Sequence, residues 1–99
     1  MMVYGFGSYF FSENPYRDVD ILIVHGSEAF ESCMRAIELK KNILREVKGA
    51  HISILSKSAE AHFDFVFTSS AILLGIVDEN DFTLSIDKII SKLEAVRKT

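Results

Sequence analysis

The chain has no tryptophan, one proline and one cysteine among its 99 residues, and each scarcity excludes something. Cys33 alone cannot close an internal disulfide, and with three scattered histidines it cannot build a cysteine-based zinc cluster. A reducing, cytoplasmic setting is expected. No stretch approaches the ~20 apolar residues needed to span a bilayer, and Met1-Met2-Val3-Tyr4-Gly5 lacks the basic-then-apolar order of a signal peptide. Neither membrane association nor export is expected. Positive charge is also short: 11 Lys and Arg face 14 Asp and Glu, a net −3 that argues against holding duplex nucleic acid by phosphate neutralisation. Repeats, low-complexity tracts and linkers are absent.

What is present suits one small domain over residues 1–99, with a core in 1–80 and a C-terminal amphipathic helix in 81–99. Hydrophobic residues make up 48% of the chain, and a protein of this size buries roughly 60–70% of its unfolded surface. Residues 2–6 read as a first strand, and Ser8 to Ser12 as one helical turn. Glu13-Asn14-Pro15-Tyr16 reads as a turn, because proline fixes its own φ and restricts its predecessor. The apolar run Val19–Val24 suits a central strand covered on both faces.

From Ser27 or Glu28 to about Lys48 neither proline nor glycine interrupts. Phe30, Cys33, Met34, Ile37, Leu44 and Val47 share one side at helical spacing and are expected to face the core. Ser27 is the expected N-cap, with Glu28 and Glu31 in the first turn, and Gly49 the stop. Lys40 and Lys41 sit at the rim of that side, as snorkelling stems or as a basic group reaching phosphate. His51–Ser56 alternates and is expected to pair beside the second strand. Ser58 is read as the cap of a helix from Ala59 to Ser69, although His62–Phe67 also alternates like a strand. Ala71–Val77 is either a short strand, the favoured reading, or the end of the same helix. The acidic turn Asp78-Glu79-Asn80-Asp81 caps a final helix whose stripe of Phe82, Ile86, Ile89, Ile90, Leu93 and Val96 packs on the domain's own core or on another subunit, as in a homodimer through this helix.

The chemistry-bearing stretch is Tyr4-Gly5-Phe6-Gly7-Ser8, then nine residues, then Asp18-Val19-Asp20 leading into the apolar strand. Strand alternation places Asp18 and Asp20 on one surface and Val19 on the other. Two such carboxylates repel each other unless a cation joins them, and hard oxygen ligands suit Mg²⁺ or Mn²⁺ better than zinc. Gly7 lets backbone approach a ligand, and Ser8 opens a turn with free N–H groups of the kind that attract phosphate.

Gly7-Ser8, the nine-residue spacer and Asp18-Val19-Asp20-Ile21-Leu22 together resemble the nucleotidyltransferase superfamily of the DNA polymerase β type, and within it the minimal nucleotidyltransferases. The resemblance spans the first three expected strands and the long helix. It implies an α/β (α+β) fold with a central three- to four-stranded mixed sheet and helices packed against it. It further implies that Gly7 and Ser8 hold the phosphates of a nucleotide such as ATP, that Asp18 and Asp20 are catalytic and carry the metal, and that a third carboxylate follows on the next strand. That position is occupied by His51. An imidazole does not bridge magnesium ions as a carboxylate does, but it can take a hydroxyl's proton. Glu60 and Asp64 are alternative third acids. Relatives of this kind are often antitoxins that adenylylate a small helical toxin of the HEPN type, which makes a partner protein an expected acceptor. The alternative is a nucleotide- or protein-binding module without turnover.

Blander readings remain open for each residue. Asp18 and Asp20 also fit a solvated strand edge or a turn cap, Ser8 a simple helix cap, and His51 an exposed strand residue. Arg17 fits a screening partner of the two acids, and His25, His62 and Cys33 fit ordinary structural positions.

Overall fold

Alternation and helical spacing divide the described residues into nine elements. The computed structural model describes residues 1–11, 18–27, 29–78 and 81–98, with side chains at all of these except Ser8, Phe11 and 96–98. In chain order the elements are β1 (Met2–Phe6), α1 (Ser8–Phe11), β2 (Val19–His25), α2 (Phe30–Glu46), β3 (Ala50–Ser56), α3 (Lys57–Phe63), α4 (Phe65–Thr68), β4 (Ile72–Ile76) and α5 (Phe82–Lys98). The turn expected at Glu13–Tyr16, the role expected of Arg17, and Glu28, Glu79 and Asn80 lie outside the described residues.

The four strands form one mixed sheet in the order β3-β2-β1-β4. β2 runs antiparallel to β1 and parallel to β3, while β4 is antiparallel to β1. Two crossovers result. The chain passes from β2 to β3 through α2, and from β3 past two strands to β4 through α3 and α4. Helices α2 and α5 bury one face of the sheet, where Val3, Val19, Ile21, Ile23, Ala36, Leu39, Ile43, Ile86, Ile89 and Leu93 share one core. Ile21, Leu22 and Ile23 are fully buried, each worth about 1.5–3 kcal/mol of transfer free energy. This fits the unbroken apolar run of β2.

The other face carries Tyr4 and Phe6 of β1, Asp20 and Leu22 of β2, and His51 and Ser53 of β3, as the register requires. It is crossed by α3 and α4. Phe65 of α4 meets Phe6 edge-on, with ring centroids 5.0 Å apart. In β4 the register shifts between Val3 and Tyr4, so Leu74 turns into the core while Leu73 and Ile76 stay exposed.

Three sequence expectations need correction. The long helix does not bury its bulkiest side: Ala36, Leu39 and Ile43 face the core, while Phe30, Met34, Ile37 and Leu44 are exposed and Cys33 and Val47 lie at the boundary. Its start falls at Phe30, because the Ser27 hydroxyl accepts the Ala29 N–H (3.2 Å) in a local turn instead of capping, and Ala29 occupies the cap position without a side-chain bond. The third helix begins two residues early, at Lys57, capped by Ser56 accepting from the Ala59 N–H (3.1 Å). It is broken at Asp64, whose φ of +54° ends α3 before α4 begins.

The last helix follows its expected pattern. Asp81 accepts the Leu84 N–H (3.2 Å), and Ile86, Ile89 and Leu93 are buried in the domain's own core; the side chain of Val96 lies outside the described residues. Tyr9 ties this helix to α1, its buried hydroxyl donating to the Leu93 carbonyl at 3.0 Å. Among the described residues no helix is long and apolar enough to cross a membrane.

Candidate functional site

The site is built where β1 ends and β2 begins. β1 and β2 pair antiparallel with Phe6 opposite Asp20, so the residue after Phe6 must turn beside the Asp20 side chain. That residue is Gly7, with φ of +81°, a conformation side chains rarely adopt. A Cβ there would stand 2.5 Å from Asp20 Oδ2, closer than any real contact allows. The positive φ favours glycine, a larger residue would also have to push the Asp20 side chain aside, and the Asp20 carboxylate lies directly against the backbone that opens α1. The Gly7 carbonyl accepts the Phe10 N–H (3.1 Å), closing the helical turn expected from Ser8 onward.

On the opposite side, β2 and β3 run parallel with Asp20 level with His51. The start of both strands is held by a backbone bond from the Val19 N–H to the Gly49 carbonyl (3.0 Å), and Gly49 reaches this position with φ of +80°. Asp18, one residue before β2, turns toward β3: its Oδ1 lies 3.2 Å from His51 Nε2. Both side chains face water, at 44% and 66% exposure, so the pair adds little to stability and acts mainly by orienting the imidazole.

The five expected site residues thus fall in one neighbourhood with a division of labour. Asp20 leans toward Gly7 and Asp18 toward His51; the Ser8 backbone starts α1, while its side chain lies outside the described residues. Among the described residues, no three His, Cys, Asp or Glu side chains gather closely enough to hold a metal ion between them. Neither Glu60 nor Asp64 fills the gap. Glu60 accepts the Val66 N–H (3.0 Å) and so joins α3 to α4, and Asp64 occupies the break between them. His25 is buried against Ser32, Nδ1 to Oγ 3.0 Å, and His62 stacks edge-on with Phe63, which suits structural roles for both.

For a divalent cation the donor set is two carboxylates, Asp18 and Asp20. Two such ligands fit Mg²⁺ or Mn²⁺, which are commonly held by one or two carboxylates together with the phosphates of a substrate. They do not by themselves form a cage for an ion without its nucleotide. Compared with protein-family models, with curated proteins and with solved structures, the chain finds no match.

Sequence reading alone missed an open cleft of about 560 Å³ on the same face, lined by Tyr4, Glu60, Val66, Phe67 and Ala71 among others. Tyr4 was the available signal, since it lies two residues before Phe6 and shares its face.

Proposed function

We propose that the protein transfers a nucleoside monophosphate from a nucleoside triphosphate, ATP in the first instance, to an acceptor hydroxyl. The observation that carries this reading is the Asp20 carboxylate lying against Gly7. An acid able to hold a cation and a backbone turn able to receive phosphate are thereby placed in contact. The spacing resembles that of minimal nucleotidyltransferases.

Asp18 and Asp20 are the residues that would hold Mg²⁺ or Mn²⁺, and a cation bound there supplies charge neutralisation on the phosphoryl oxygens. The backbone of Gly7 and Ser8 receives the β and γ phosphates and fixes the α phosphorus. The acceptor oxygen forms a bond to that phosphorus as the bond to pyrophosphate breaks, and the hydroxyl proton passes to His51. With Nε2 turned toward Asp18, the other ring nitrogen is the acceptor, and Asp18 holds the ring in place for it. The chain contributes position and electrostatics and forms no covalent intermediate. In keeping with the resemblance, the proposed acceptor is a tyrosine or other hydroxyl on a small helical partner protein.

The test is incubation with Mg²⁺ or Mn²⁺, ATP labelled at the α phosphate, and the protein encoded beside this one. Label should appear on the acceptor and fall by more than about 100-fold in Asp18→Asn and in Asp20→Asn. Absence of transfer, with no difference between these variants and the parent, would remove the proposal.

His51 favours a second reading, because it stands level with Asp20 where a third carboxylate would be expected. On this reading the chain binds a nucleotide or a protein without turning over. Calorimetry showing ATP binding without transfer supports it, and transfer gained on His51→Asp identifies a scaffold disabled by that one residue.

A further inference from the structure

The rotation of α2 leaves a second apolar stripe unused by the core. Phe30, Met34, Ile37 and Leu44, with Lys41 between the last two, follow one another at steps of four, three, four and three, the spacing of a helix–helix seam. The four apolar residues are 77%, 45%, 39% and 45% exposed. Core-facing Ala36, Leu39 and Ile43 lie about a third of a turn around the helix, so both sides can be covered at once.

We propose that this stripe pairs antiparallel with the same stripe of a second copy of the chain. Charge selects that occupant. Along the solvent edge of the stripe stand Glu31, Glu38 and Arg45, at steps of seven. With a two-fold axis passing beside Glu38, Glu31 of each copy comes level with Arg45 of the other, giving two reciprocal ion pairs. In the same register Phe30 falls two residues, about 3 Å along the axis, from the level of Leu44. Glu38 then meets its own symmetry mate near the axis, and Arg35, 3.4 Å from the Glu38 carboxylate, offsets that repulsion. Antiparallel packing also sets the two helix dipoles head to tail. The arrangement is isologous and closes at two copies.

Area agrees with charge. The four side chains leave on the order of 400 Å² of apolar surface open, as much as a monomer usually exposes in one patch. Lys41, Glu31, Arg35, Glu38 and Arg45 widen the strip toward the ~800 Å² per partner of a standard interface.

Sedimentation equilibrium of the full chain from micromolar to sub-millimolar concentration tests this. A monomer–dimer equilibrium is expected, weakened more than roughly tenfold by Ile37→Glu and by Leu44→Glu. Both positions are exposed in the single chain, so circular dichroism and the melting of a dilute sample should stay unchanged. The register is tested by Glu31→Arg and Arg45→Glu, each expected to weaken the dimer, and by the double variant, expected to restore it. A chain that stays monomeric throughout, a dimer indifferent to Ile37→Glu and Leu44→Glu, or a double variant no better than the singles would overturn the proposal. So would a stripe covered only by a different protein.

Discussion

At Gly7 the absence of a side chain serves both the backbone and the neighbouring Asp20. The Gly7 φ of +81° and the nearness of Asp20 Oδ2 mean that an added methyl group meets both backbone strain and a carboxylate. Gly7→Ala should therefore lose about 1–2 kcal/mol of stability in urea unfolding. Part of that loss comes from displacing Asp20, so Gly7→Ala combined with Asp20→Gly should be less destabilised than the sum of the two single changes. Strict additivity would show that the Asp20 carboxylate does not touch the turn. Asp18 and Asp20 were legible as a pair from the spacing, and strand alternation placed them on one face. Their opposite leanings were not legible, because they depend on which strand lies on each side of β2.

The elements show where local signals suffice and where they fail. β1, β3 and α5 were readable because alternation, helical spacing and an acidic cap each point to one outcome, and of the two readings of Ala71–Val77 the favoured one, a short strand, is the one that forms as β4. The break at Asp64 was not, since aspartate tolerates the left-handed conformation without demanding it and the flanking Phe63 and Phe65 fit helix or strand equally well. The face buried by α2 was misread for a physical reason. Bulky residues mark an apolar side, but close packing on the sheet admits Ala36 where a larger side chain would hold the helix away, so the helix turns its small and medium residues inward. The crossover formed by α3 and α4 rests on few anchors, among them the Ser56 cap. Ser56→Ala should lower stability by ~1 kcal/mol in thermal melts, whereas Ser58→Ala should cost less, since Ser56 holds the cap. Equal effects from the two would contradict the capping geometry.

Across the molecule stability is unevenly placed. β1 and β2 have strands on both sides, whereas β3 and β4 are the sheet's outer strands among the described residues. Native-state amide exchange should be slowest at Val3 and Ile21–Ile23, faster along β3, and fastest of the structured segments in α3 and α4. Protection in α4 equal to that of β2 would refute this order. Asp20, one of the two proposed metal-holding acids, sits at the start of the central strand β2, while Asp18 lies just outside that strand and is part-exposed. Tyr9 adds a longer-range dependence. Its hydroxyl joins the turn after Gly7 to the carbonyl of Leu93, across 84 residues of sequence. A protease clip or stop codon in the closing helix would thus remove a buttress from the proposed nucleotide site at the other terminus, and on that proposal nucleotide affinity would serve as a gauge of whether the tail is seated.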